Sequence, residues 1–427
     1  MCYAIPGRVV SVDGKTVTVE YFGELRKAHL VDYTIQPGDY VYAQGGIIVG
    51  KVPEEEALPI LETWKEQFFE LKRVDAGLSV SKEASQESIL SPIISKAGST
   101  GTLSRNEMLA VLGAEGDDLE TLYAGANRIR KERLDNACCV HGILEFSNHC
   151  VNDCLYCGIR CGNSGLSRYR MTEEQILEAV RYAVEELGFK AMVLQSGEDN
   201  HYTDDMLVRI VGKIRERHGI LLFMSIGERS RECYRRLYGA GAFGALLRFE
   251  TSNEELYKRM RPGKRLDDRV GLIKDLKGMG FVVATGFLIG LPGQTKTDIV
   301  NDILLTKSLE PDMYSFGPLI PHPATPLASA ERPMLDDVLK AIALSRLVDP
   351  EAKILVTSAL ETLAPEARKK GLLAGANSLM INTTPKELRR SYDIYPGKAK
   401  DEDVGEAIEE TVELLHSLGR APTDLGV

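Results

Sequence analysis

Cys150, Cys154 and Cys157 stand in the run Cys150-Val-Asn-Asp-Cys154-Leu-Tyr156-Cys157, a C-x3-C-x2-C spacing. The stretch before them, Gly142-Ile-Leu-Glu-Phe-Ser-Asn148, reads as a buried strand, so the three thiols sit on the loop that leaves it. Thiolates packed this tightly in one loop suit an iron–sulfur cube, whose usual complement is four cysteines. Three leave one iron without a protein ligand, and an open iron can bind and activate a small molecule. A zinc knuckle is the competing reading. Zinc sites pair such a motif with a second, distant Cys/His pair, and no cysteine follows Cys233. Cys161 reads as a loop thiol rather than a further ligand.

The spacing, with an aromatic residue before its last cysteine, resembles the radical S-adenosylmethionine (radical SAM) superfamily. That resemblance implies a 4Fe–4S cluster on three cysteines, with the amino and carboxylate groups of SAM on the fourth iron. It also implies reductive cleavage of the sulfonium to a 5′-deoxyadenosyl radical, which needs a reductant such as flavodoxin or ferredoxin.

The chain that must position this loop has 427 residues, room for two or three domains. A net charge of −10 argues against a nucleic-acid partner, which wants a basic face. Eight cysteines are too few for a disulfide scaffold, and reduced thiols point to the cytoplasm. The opening MCYAIPGRVVSVDG has no basic segment followed by an apolar one, so no signal peptide is expected. The longest apolar stretch, Phe281 to Leu291, is broken by Thr285, Gly286 and Gly290 and falls short of the roughly 20 residues of a membrane span. No membrane association is expected.

Residues 1–52 alternate in short β-type runs separated by Asp13-Gly14 and Pro37-Gly38 turns, which predicts a small all-β barrel. A helix from about Pro53 to Lys72 completes a first domain, 1–75. The polar stretch 76–102 reads as a flexible linker, and residues 103–427 as a second domain. There strands predicted at 142–147, 190–195, 220–226, 244–250, 281–288, 312–317, 353–357 and 377–382 alternate with helices. One of those helices opens on the capping box Thr172-Glu-Glu-Gln175. Eight such units make a complete (β/α)8 TIM-type barrel, with chemistry at the carboxyl ends of its strands. A doubly wound open sheet is the alternative.

The polar residues that follow these strands fall at one rim. SAM asks there for an acceptor for its ammonium, which the turn Ser196-Gly197-Glu198 offers, and for a cation for its carboxylate. Arg269, at the start of a helix, is in plausible reach, although a solvated helix charge is the equal alternative. The adenine wants an apolar wall, suited to Phe287, Leu288 and the close approach allowed by Gly290. Glu250, inside an apolar strand, is a buried carboxylate that wants a partner.

Further stretches resemble the HydE family of FeFe-hydrogenase maturases from about residue 104 to 420, with biotin synthase and methylornithine synthase as sister families. They are Glu145-Phe-Ser-Asn-His-Cys through Gly158, Val193-Leu-Gln-Ser-Gly-Glu-Asp199, Leu246-Leu-Arg-Phe-Glu-Thr251, Gly290-Leu-Pro-Gly-Gln294, Gly317-Pro-Leu-Ile-Pro-His-Pro323 and Tyr395-Pro-Gly397. This resemblance implies that Tyr156, Gln195, Ser196, Gly197, Glu198, Glu250, Arg269 and Leu288 surround SAM. Arg248, Thr357, Ser358, Met380 and Tyr395 would line the substrate cavity. The C-terminal cysteine trio that some members use for a second cluster is missing.

The first 75 residues, opening Met1-Cys2-Tyr-Ala-Ile-Pro-Gly7, resemble instead the HypC family of NiFe-hydrogenase chaperones. There the second residue helps hold an iron bearing CO and cyanide, which makes Cys2 a candidate iron ligand. The family's second ligand, a His, aligns with Gln44. Both resemblances imply work on an iron–CO/CN precursor in hydrogenase maturation, beside other maturation proteins, in a cavity with few acidic groups. The front barrel would then be an iron carrier on a flexible tether. The alternatives are a radical SAM mutase acting on an amino acid or small metabolite, in the manner of methylornithine synthase, and a non-catalytic scaffold.

Overall fold

The computed structural model describes residues 5–79, 88–100, 102–398 and 403–421, so Cys2 lies outside the described residues. Strict alternation builds the front of the chain. In β2 (Thr16–Tyr21) Val17, Val19 and Tyr21 turn inward while Thr16, Thr18 and Glu20 face out. With β1 (Gly7–Asp13), β3 (Glu24–His29), β4 (Tyr40–Gln44) and β5 (Ile47–Val52) it closes a barrel in the order β1-β2-β3-β5-β4. The Asp13-Gly14 turn joins β1 to β2 as expected, with Gly14 at φ +59°. The helix that follows runs Glu54–Ser79, longer than its sequence suggests, and packs Trp64, Phe68 and Leu71 against the barrel core.

Part of the expected linker is helix. Residues 80–87 and 101 lie outside the described residues, but Ser91–Thr100 is helical, and Ile94 packs against the helix Asp117–Leu134 at Gly125. Hydrophobic spacing at Ile94 and Ala97, hidden among Ser, Gly and Lys, explains why the stretch reads as polar coil.

The strands of the second domain are β6 (Cys139–Ser147), β7 (Ala191–Ser196), β8 (Leu221–Ser225), β9 (Gly244–Leu246), β10 (Val282–Thr285), β11 (Leu288–Ile289), β12 (Met313–Tyr314), β13 (Gly317–Pro318), β14 (Lys353–Ile354) and β15 (Ser378–Asn382). Eight form one parallel sheet in the order β14-β12-β10-β9-β8-β7-β6-β15. A single bridge between Leu355 and Ser378 joins its two ends into a nearly closed barrel. The short pair β11–β13 continues β10 and β12 toward the rim. The fourth strand stops at Leu246 rather than 250; beyond it Glu250 pairs with Phe287 in an isolated bridge, with a left-handed backbone at φ +68°. Helices cover the outside, one opening on the expected capping box, in which Thr172 and Gln175 bond reciprocally at 3.3 and 2.8 Å.

The two barrels are stacked. The β4–β5 hairpin enters the amino-terminal mouth of the large barrel, where Ile47 and Val49 join Ala191, Val193, Leu221, Phe223, Val282 and Ala284 in one cluster. Burying each of those two side chains stabilises the contact by about 1.5–3 kcal/mol. Polar contacts rim it: the Tyr33 hydroxyl donates to the Val49 carbonyl at 2.6 Å, and Arg215 stacks over Tyr33.

Candidate functional site

One cavity of about 640 Å³ opens at the carboxyl ends of the strands. It is lined by Cys150, Cys154 and Cys157 and, Phe287 and Gly290 apart, by every SAM- and substrate-side residue that the sequence singles out. The cysteine loop is pinned from several directions by its backbone. Val151 N–H donates to the Glu198 carbonyl at 2.9 Å, Leu155 N–H to Met260 at 2.9 Å, and Gly158 N–H to Ile394 at 3.0 Å. Gly197 lies so close beneath that a Cβ there would stand 2.7 Å from the Cβ of Cys150. Burial pushes the Cys150 and Cys157 thiols up, with neighbouring thiols adding to the shift. Among the described residues no three His, Cys, Asp or Glu side chains converge on a position for one metal ion. A cluster asks something different, namely sulfur donors facing one common space, and these three do. Cys161 is exposed.

Beside the loop lies a buried ionic nest. The Glu198 carboxylate accepts from Glu228 N–H at 3.0 Å and lies 3.7 Å from Arg261 and 3.5 Å from Lys264. Glu228 in turn meets Lys264 at 2.8 Å and Arg269 Nε at 3.0 Å. The last contact is close but misaligned, so Glu228 Oε1 and Arg269 Nε and Nη1 have no hydrogen-bond partner. Arg261 Nε and Glu250 Oε2 are in the same condition. A buried polar atom without a partner costs about 1–3 kcal/mol. Four of them, on the cavity-lining Arg261, Arg269 and Glu250, fit a ligand bearing both charges, such as the aminocarboxylate of SAM. Arg269 is only 5% exposed, which rules out a solvated helix charge.

Tyr156 packs with Met260, Leu288 and Leu291, and burial pushes its hydroxyl well above the usual range. The Gln195 side chain faces the Ser225 hydroxyl at 3.4 Å, and Ser196 Oγ donates to the Gly197 carbonyl at 2.7 Å. Of the apolar wall expected at 287–290, only Leu288 lines the cavity. Phe287 points the other way, as alternation along a strand requires, and stacks on Phe316 with centroids 4.8 Å apart. Gly290 faces Pro333.

On the far side Glu250 Oε2 forms an ion pair with Arg248 at 3.1 Å, without the alignment of a hydrogen bond. The Ser358 and Tyr395 hydroxyls meet at 2.6 Å, while Thr357 Oγ1 is buried without a partner. Met380 lies deeper, toward Ile143, Leu246 and Leu355. The expectation of few acidic groups fails: Glu145, Glu198, Glu250 and Glu361 all line the cavity. Each has a cation beside it, Arg368 meeting Glu361 at 2.6 Å and Lys398 meeting the fully buried Glu145. Lys398 and Tyr392 belong to a strap, Ser391–Lys398, most of whose residues line the cavity. Sequence reasoning missed both residues, as well as Arg261. The one available signal was Glu145 itself, a charge in phase with Ile143 on a buried strand. In the front barrel Gln44 is 3% exposed and its Nε2 has no partner.

The comparisons with known proteins agree in part-by-part fashion. Residues 144–305 match the radical SAM superfamily, 315–419 the Biotin and Thiamin Synthesis associated domain, and 1–64 the HupF/HypC family. The FeFe hydrogenase maturase subunit HydE of Thermotoga maritima is 41% identical over 307 residues, 71% of this chain and 87% of that protein. The 3-methylornithine synthase of Methanosarcina acetivorans is 28% identical over 326 residues, 75% of this chain and 90% of that one. Among solved structures, methylornithine synthase superposes with a TM-score of 0.70 at 27% identity, covering 77% of this chain and 97% of its own. The maturase HydG from Carboxydothermus hydrogenoformans, at 21% identity, shares the fold with a TM-score of 0.66 over 83% of this chain and 84% of its own. No helix of the described residues is long and apolar enough to cross a membrane.

Proposed function

This chain belongs to the family of the FeFe hydrogenase maturase HydE, within the radical SAM superfamily, and we propose that it acts on an iron precursor bearing CO and cyanide during hydrogenase maturation. In this reading Cys150, Cys154 and Cys157 hold a 4Fe–4S cluster through three irons. When bound, the cluster and SAM supply a 5′-deoxyadenosyl radical. Arg269 and Arg261 receive the carboxylate of SAM, Glu198 and the Ser196-Gly197 turn its ammonium, and Leu288 and Tyr156 its apolar parts. Arg248, Thr357, Ser358, Met380 and Tyr395 hold the substrate, with Thr357 Oγ1 free to turn toward it. Domain limits of 1–75 and 103–427 belong to the same proposal, as do a flavodoxin- or ferredoxin-type reductant, partner maturation proteins and a cytoplasmic location. The observation that carries the reading is that one cavity is lined by the three thiols, by Arg261, Arg269 and Glu250 with atoms that have no hydrogen-bond partner, and by the substrate-side residues together.

Anaerobic reconstitution followed by dithionite and SAM tests it. The protein should release 5′-deoxyadenosine and, given an iron–CO/CN precursor, support maturation of an FeFe hydrogenase. A reconstituted protein that leaves SAM intact would overturn it. A mutase acting on an amino acid is the second reading, favoured by the charge pairs Glu145–Lys398 and Glu361–Arg368 and by the likeness to methylornithine synthase. Faster SAM cleavage with an amino acid than with the iron precursor would select it.

A further inference from the structure

The front barrel occupies the end of the large barrel opposite the cavity mouth. The tip of the β4–β5 hairpin reaches the first residues of the barrel strands. A Cβ on Gly45, at φ +58°, would stand 2.7 Å from Leu221 and 3.5 Å from Val282. Gly219, just before β8, faces the Val49 carbonyl, which a Cβ there would approach to 2.4 Å. Lys190, just before β7, lies over the Tyr42 ring at 5.1 Å. Inside this ring Ile47 and Val49 are 6% and 1% exposed. Their cluster also contains Ile143, Leu246, Leu355 and Met380, and those four residues line the cavity. One continuous apolar cluster therefore runs from the hairpin to the wall of the reaction chamber.

We propose that the front barrel is the floor of that chamber: its β4–β5 hairpin seals the amino-terminal mouth of the large barrel and keeps hydrogen-atom donors in solution away from the radical. A carbon radical in a site open to solvent thiols takes their hydrogen. The S–H bond breaks, the C–H bond of 5′-deoxyadenosine forms, and a thiyl radical is left to pair as disulfide. Excluding such donors is what a closed site contributes. The same placement makes a tethered carrier visiting the upper mouth unnecessary. Gln44, which aligns with the iron-binding His of the HypC family, is buried at the base of the tip rather than presented to a partner.

The test uses the full reconstituted chain with SAM, dithionite and dithiothreitol in D2O, so it rests on SAM cleavage and not on the identity of the iron substrate. Gly45→Val wedges the tip away from Leu221; Gly219→Ala does the same from the other side with one methyl group and serves where the first variant does not fold. Gly14→Asn, in a turn with nothing within 4 Å, is the control. Hydrogen exchange at residues 190–193 and 219–223 should rise in the two wedge variants alone. The deuterium content of their 5′-deoxyadenosine should rise several-fold over wild type. Loosened amides with wild-type deuterium content would overturn the seal, and so would wild-type protection of those amides in both variants.

Discussion

At the scale of single residues, the site is governed by charges that are buried before any ligand arrives. Arg269 is aimed at Glu228 at 3.0 Å yet misaligned with it, so its Nε and Nη1 are held in reserve for an incoming carboxylate. Arg269→Ala should therefore weaken SAM binding by about 1.5–3 kcal/mol, the worth of a charge-assisted hydrogen bond, while iron content after reconstitution stays at wild type. Equilibrium titration with SAM measures it, and an unchanged dissociation constant would remove Arg269 from the site. The triple change of Cys150, Cys154 and Cys157 to Ala should act differently, abolishing both the visible absorption of the cluster and release of 5′-deoxyadenosine. The cysteine spacing was legible in the sequence because all three ligands lie on one loop. The pair Lys398–Glu145 was not, since its members are 253 positions apart and only the closed barrel brings them together. Glu250 falls between: its need for a partner was readable, but its left-handed backbone and its choice of Arg248 were not.

At the scale of elements, the turn bearing Glu250 is held from behind by the helix Lys296–Ser308. Asp302, on that helix, accepts from the Ser252 N–H and hydroxyl at 2.5 Å and from Gln294 at 3.1 Å. Gln294 also donates to the Leu288 carbonyl at 2.8 Å, so one carboxyl aligns both SAM-side segments. Burial pushes the Asp302 carboxyl up to about 7, outweighing these donors. The folded chain then keeps a proton that the unfolded chain gives up near the ordinary carboxylate range. The stability this contributes is full below the unfolded pKa and is lost as pH rises through about 7. Melting temperature measured from about pH 5 to about pH 8 should fall along this limb, and Asp302→Asn should flatten it. A variant with the wild-type slope would assign the pH dependence elsewhere. The strap Ser391–Lys398 is the other element that matters. His322 meets Asp393 at 2.8 Å, and a Cβ on Gly158 would collide with the Asp393 carbonyl. Tyr395-Pro-Gly397 was recognisable in the sequence as a matching stretch, but nothing in it signalled a strap clasped to the cysteine loop.

At the scale of the whole molecule, the two barrels were separately legible, since strand alternation and βα repetition are local patterns. Their stacking was not, because the contacts between them join residues from distant parts of the chain, and the polar stretch 76–102 concealed the helix Ser91–Thr100. A buried ionic staple reinforces that stacking. Asp75, near the end of the helix that covers the front barrel, takes Arg130 in a two-pronged contact at 2.7 and 3.0 Å. Arg420, from the carboxyl end of the large domain, approaches the same carboxylate at 3.3 Å. All three side chains are at most 1% exposed, and Asn127 Oδ1 accepts from both arginines. Burial and the neighbouring Arg130 already push the Arg420 guanidinium down to about 9, so this site tolerates its positive charges only through Asp75. Asp75→Ala would leave two buried guanidinium groups without their counter-charge, and breaking a buried pair from one side costs about 3–5 kcal/mol. Calorimetry should record a lower melting temperature for this variant, with a shift that added salt does not reproduce in wild type, because buried pairs are little screened. Hydrogen exchange along Glu54–Ser79 should rise with it, reporting that the front barrel has come loose from the domain whose floor it forms. A variant that melts with wild type would make the staple a bystander and leave the apolar hairpin contact alone to hold the barrels together.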